Sequence, residues 1–179
     1  IPELGADYFG TSLHKWLCAP FGSGLLYVKK EHISMLYPHL ASPDPESTDI
    51  RKFESLGTRS FAIEQAIGQA LDFQYSIGNQ LKQERLQYLK KYWTDAVKDH
   101  PKIHINTDPH PDRSCALCIV NMDGYKPSEL GEALQNKFKI HTTAIEYENV
   151  MGVRVTPHVY TVTADLDRLI IALKSLADA

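Results

Sequence analysis

The residues best suited to chemistry stand together in Ser12-Leu13-His14-Lys15-Trp16-Leu17-Cys18-Ala19-Pro20-Phe21-Gly22-Ser23-Gly24. A lysine follows a histidine and precedes a glycine-rich turn, after which the chain resumes as the apolar run Leu25-Leu26-Tyr27-Val28. This order presents Lys15 at the end of one strand and holds it there by a tight loop into the next. An amine fixed in that way can condense with a carbonyl carbon to form a Schiff base. Ser12 offers a hydroxyl, His14 a donor for an anion, and Gly22 and Gly24 let backbone approach closely. His14 could equally do no more than hold the loop. Cys18, three residues past the lysine, reads as a small buried thiol rather than a nucleophile.

The elements that must position these groups follow from the pattern. Residues 1–30 read as strand, loop, strand, and the start at Ile1 reads as the approach to a strand, as in the C-terminal portion of a longer protein. Pro38, Pro43 and Pro45 mark a loop over 38–49. Ile63, Ala66, Ile67, Ala70 and Leu71 form one helical face, with Gly68 inside it as a possible point of close packing. Ile77-Gly78 interrupts that helix. A second runs over about 79–99, with Leu86, Leu89, Trp93, Ala96 and Val97 on its apolar face and Lys82, Lys90, Lys91 and Asp95 on the other; His100-Pro101 stops it.

Beyond that point short strands alternate with helices: strands at 103–105, 116–122, 140–145 and 150–155, and helices at 127–139 and from Thr163, read as an N-cap. The expected division is therefore 1–77, and 78–179 as a linker helix and a small α+β domain.

The 179 residues are 43% hydrophobic and 23% charged with net charge −3, so a core can form and neither nucleic acid nor an anionic membrane is an expected partner. No apolar run is long enough to span a bilayer. Cys115 and Cys118 have CxxC spacing, but they fall on a strand segment with no second ligand pair, and read as structural. The histidines form no HExxH motif, and no metal site is expected.

The lysine segment resembles that of the class V aminotransferase family, fold-type I pyridoxal phosphate enzymes. Gly57-Thr58-Arg59 resembles the family's phosphate-contacting turn, and Val153-Arg154-Val155-Thr156-Pro157-His158-Val159-Tyr160-Thr161 its C-terminal signature. His14-Lys15-Trp16 and Gly152 to His158 are most similar to the isopenicillin N epimerase-like branch. The resemblance implies an α/β fold: residues 1–77 as the end of a large cofactor domain with a mostly parallel sheet, then a small C-terminal domain.

It further implies pyridoxal 5'-phosphate as cofactor, with Lys15 as the Schiff-base lysine and base for an amino acid α-proton. Ser12, His14, Gly57 and Thr58 would face the cofactor phosphate, the last two across a homodimer interface at a helix start, which suits an anion. Arg154 would grip the substrate carboxylate. Thr58 could also serve as a helix cap, and Arg154 as a structural ion-pair partner. Arg59 is left outside the site, as a partner for Glu64. The implied reactions are transamination or epimerisation, with carbon–sulfur or β-lysis, or a purely dimerising or binding role, as alternatives. The stretch Thr142 to Asn149 lacks the cysteine that desulfurases of this family carry shortly before the arginine. The family's upstream partners for the cofactor ring find no counterpart before Asp7. A cytoplasmic location is the expectation, with export left open.

Overall fold

The computed structural model describes residues 2–179, with the side chains described from residue 3; the expectation placed on Ile1 lies outside the described residues. The chain divides into two compact units, the first ending at Ile77 and the second Gly78–Ala179.

The first unit is built on a two-stranded antiparallel ribbon, β1 (Tyr8–Ser12) and β2 (Gly24–Val28). Its register runs from Tyr8 opposite Val28 to Ser12 opposite Gly24. Short 3-10 turns follow at Lys30–Met35 and Ile50–Glu54, and then helix α1 (Phe61–Ile77). The two strands here pair antiparallel, consistent with a partial α/β domain. Parallel neighbours need a crossover of a dozen residues or more, usually helical, whereas β1 and β2 are joined directly by a loop that turns back on itself.

Few apolar side chains of this unit are covered: Ala19, Val28, Ile33 and Ala70 are buried, whereas Phe21 is 85% exposed and Phe61 62%. On α1, Ile63, Ala66 and Ile67 are half-buried and Leu71 is exposed, so the predicted stripe is only partly covered. Nothing lies within 4 Å of a Cβ built on Gly68, so the close packing expected there is absent among the described residues.

Asp49 anchors the second 3-10 turn. Its carboxylate accepts from the Arg51 side chain (Nε 2.8 Å) and from the Arg51 backbone N–H at 2.9 Å. Those bonds hold its carboxyl down to about 2 from the ordinary 3.8. A folded value below the unfolded one stabilises in full above pH 3.8, and the contribution drains away as the pH falls through 2. A carboxyl NMR titration is expected to show this low midpoint in the parent and a higher one in Arg51→Ala, still below the ordinary value because the backbone N–H remains.

The second unit opens with α2 (Asn79–Val97), separated from α1 by Gly78 at φ 84°, a left-handed conformation that ends the first helix. A four-stranded antiparallel sheet follows in the order β3-β4-β6-β5, from β3 (Ile103–Ile105), β4 (Cys118–Met122), β5 (Thr143–Tyr147) and β6 (Val150–Val155). Helix α3 (Pro127–Phe138) has Pro127 at its first position and ends at Lys139 in the left-handed conformation. Helix α4 (Thr163–Ala177) closes the unit.

Leu89, Trp93 and Val97 of α2 join Val120 and Val153 of the sheet, Leu130 and Leu134 of α3, and Leu169 and Leu173 of α4 in one core. Three local expectations change here. Ala96 is exposed and Lys90 buried, because the covered stripe of α2 is rotated toward Leu86, Lys90 and Trp93. Thr163 is the first helical residue, and Val162 occupies the cap position. Cys115 is exposed ahead of β4, so only Cys118 sits in the strand, and it is buried.

Candidate active site

Lys15 sits in the loop that joins β1 to β2, and the loop is tied across its width. Leu13 N–H donates to Ser23 O at 3.0 Å, continuing the ladder beyond Ser12–Gly24, and Ala19 N–H donates back to Leu13 O at 3.1 Å. Cys18 N–H donates to Lys15 O at 3.1 Å, closing a turn immediately after the lysine. Ser23 Oγ donates to Pro20 O at 2.7 Å. From α1, Gln74 Nε2 donates to Leu17 O at 3.1 Å.

Gln74 is buried and continues the apolar stripe four residues after Ala70. A polar residue at a stripe position was the sequence signal for this tether, and it was missed. Cys18 is exposed, contrary to the buried thiol expected; φ of 65° in the turn directs its side chain outward.

On this frame the lysine side chain is exposed and has no ion-pair partner among the described residues. His14, half-buried beside it, donates from Nδ1 to Ser23 O at 3.2 Å, and its ring stands against Phe21 at 5.1 Å. With Nδ1–H committed to a carbonyl, Nε2 is the free nitrogen, and it donates to an anion once the ring is protonated. Ser12 is the last residue of β1, with an exposed side chain. Ser12, His14 and Lys15 therefore share one loop end.

Gly57 (φ 69°) and Thr58 are exposed and lie ahead of α1, not at its first turn, since the helix begins at Phe61. Thr58 is thus too far upstream to cap it, and Ser60 takes that position. Arg59 forms a close ion pair with Glu64 and lies over the Phe61 ring, consistent with its exclusion from the site.

Arg154 belongs to the second unit. It occupies β6 between Ile119 of β4 and Thr143 of β5. Its Nη2 donates to Thr143 Oγ1 at 3.4 Å, while Nε is buried with no hydrogen-bond partner. No carboxylate pairs with it among the described residues, so a structural ion pair does not account for it. A guanidinium with an orphaned buried donor is poised for an anion that can accept from two nitrogens.

Gly152 brings β6 close to β4. A Cβ there would lie 2.5 Å from Val120 O, and its φ is 143°. The fold also gathers Asp7, Glu31 and His32, which the sequence analysis did not single out; their ligand atoms lie within 4.8 Å of one another. Lys29 engages both carboxylates, at 3.5 and 2.8 Å.

On the first unit, a positioned amine with anion donors beside it suits an aldehyde bearing a phosphate; on the second, taken by itself, the guanidinium without a carboxylate partner among the described residues suits a carboxylate. Residues 1–169 match the aminotransferase class-V family model, and the chain belongs to this family. An isopenicillin N epimerase of Amycolatopsis lactamdurans is 30% identical over 193 residues, covering 99% of this chain and 48% of the relative.

Among solved structures, a cysteine desulfurase from Thermococcus onnurineus NA1 superposes with a TM-score of 0.82 at 20% identity, covering 99% of this chain and 48% of its own. A cystine C–S lyase in complex with its product cysteine persulfide gives 0.79 at 17% identity, over 96% and 47%. These likenesses show the fold, that of the fold-type I enzymes. The chain spans about half the length of the relatives it matches.

Proposed function

We propose that the chain carries the lysine and carboxylate-binding segments of a pyridoxal phosphate-dependent enzyme that acts on an α-amino acid by moving its α-proton. The observation that carries this reading is the Lys15 amine, exposed and without an ion-pair partner among the described residues, at the end of a loop tied by backbone bonds. The cofactor, when bound, supplies an aldehyde for that amine and a sink for the electrons left on the α-carbon.

Lys15 takes the α-proton on its nitrogen and can return it. His14, kept in orientation by its bond to Ser23 O, and the Ser12 hydroxyl would hold the cofactor phosphate. Gly57 and Thr58 supply further donors to the phosphate bound by a second copy, which makes the enzyme a homodimer with a shared site. Arg154 holds the substrate carboxylate through the nitrogens that lack a protein partner.

Epimerisation or transamination is the favoured outcome, supported by the likeness to the epimerase across nearly the whole chain. Carbon–sulfur lysis is the second reading, favoured by the fold shared with the cystine lyase. Persulfide formation on a protein cysteine lacks support, since β5 and the turn after it contain no cysteine.

Borohydride reduction in the presence of pyridoxal phosphate, followed by peptide mapping, is expected to leave a single adduct on Lys15. Absence of that adduct from both the chain and the holoenzyme carrying it would overturn the reading. Deuterium entering the α-position of recovered amino acid without keto acid or sulfide identifies the epimerase; keto acid without sulfide or ammonia identifies the transaminase, and sulfide released together with keto acid and ammonia the lyase. Arg154→Lys keeps the charge but loses the planar fork, and is expected to raise KM by about tenfold or more with a smaller change in kcat.

A further inference from the structure

Helix α2 buries a cation that no carboxylate of the described residues pairs with. Lys90 is 7% exposed. Its ammonium donates at close range to Ser114 Oγ, whose own proton goes to Asp108 O. No carboxylate lies within ion-pair distance of it among the described residues. An uncompensated buried charge is costly unless something pairs with it.

This lysine lines a cavity of about 470 Å³ carried wholly by the second unit. The apolar side chains of Tyr88, Ile105, Pro109 and Pro111 form much of the wall, with the Cys118 thiol beside Lys90. Burial pushes the Cys118 thiol up, as a dry lining would. The two carboxylates that also border the cavity are engaged elsewhere. Asp95 is held by Lys91 at 2.5 Å and by Lys98 at 2.9 Å, and Glu84 accepts from Gln80 at 2.8 Å. Lys91, which also lines it, is spent on Asp95, so Lys90 is the cation left without a carboxylate; the volume is that of an ordinary small-molecule site, and a few placed polar groups in a mostly apolar wall are how such sites fix a ligand's orientation. None of these residues belongs to the cofactor and substrate assignments above.

We propose that this cavity binds a small-molecule carboxylic acid with an apolar, ring-sized body, its carboxylate on the Lys90 ammonium. The body fills the space between Tyr88 and the two prolines. The carboxylate takes the N–H groups that Ser114 leaves unused.

The test is a titration of the isotope-labelled 179-residue chain with 2-naphthoate, followed through its backbone amides, with 2-naphthamide as the neutral counterpart. Saturable shifts centred on Thr94, Thr107 and Cys118 are expected for the acid, and only weak ones for the amide. Lys90→Met is expected to weaken naphthoate binding about tenfold to a hundredfold, the range for a hydrogen bond to a charged group. Lys90→Gln, which can still bond Ser114, is expected to do the same and guards against a fold defect in the first variant. Equal binding of acid and amide, unchanged affinity in both variants, or shifts confined to residues outside the cavity would each overturn the proposal.

Discussion

Lys15→Arg in the holoenzyme is expected to slow exchange of the substrate α-proton by about 10²- to 10⁴-fold, the usual contribution of a positioned acid–base group. The substitution keeps the charge, and the side chain is exposed with no ion pair to lose, so folding is not the cause. What changes is the nitrogen: a guanidinium stays protonated at any working pH, and can neither attack a carbonyl nor accept a proton. Thermal unfolding should therefore be unaltered while the exchange rate collapses. Exchange that survives within about tenfold would assign the proton transfer to another group.

Gly152→Ala is expected to destabilise the second unit by about 3 kcal/mol or more, read as a lower denaturant midpoint. Two costs combine. The added methyl would stand 2.5 Å from Val120 O and 2.8 Å from its carbonyl carbon, backbone atoms that no rotamer change can move aside. The residue also has φ of 143°, a conformation that side chains rarely adopt. Relief requires β6 to retreat from β4, and Arg154 rides on β6 two residues on. A variant that remains folded should then also show a raised KM. Unchanged stability and unchanged KM together would mean that the close approach of the two strands is dispensable.

Much of the second unit was legible because its helices are amphipathic with clear stops. α3 is marked by Pro127 and by Leu130 and Leu134 on one face, and α4 by Leu166, Leu169 and Leu173, all buried. Strand pairing was harder, since short apolar runs do not state their neighbours; β3 lies at one edge and β5 at the other, with β6 between β4 and β5. Lys90 was assigned to solvent by its charge, yet a long aliphatic stem can be covered as readily as leucine when its head finds a hydroxyl, here that of Ser114.

On the lysine loop the sequence spacing located the reactive group but not what holds it. The bonds from Leu13, Ala19 and Cys18 are backbone, and backbone bonds carry no residue signature. Gln74 carried one, being polar within an apolar stripe, and sits 57 positions from its partner Leu17. Gly57-Thr58 was placed at a helix start because Ile63 begins the apolar period; the two residues between Thr58 and the first helical residue, Phe61, leave no periodic trace.

The placement of α4 has a consequence for synthesis. Leu166, Leu169, Ala172, Leu173, Leu176 and Ala177 are buried in the same cluster as Trp93 of α2. A lone helix of this length is marginal in water, and a sheet with one face uncovered has nowhere to put Val120 and Val153. While the ribosome is still adding residues beyond β6, the second unit thus lacks one wall of its interior. It can close only once α4 has emerged, so a chain stalled or cut after Thr161 would offer the Trp93 side of α2 to chaperones and proteases.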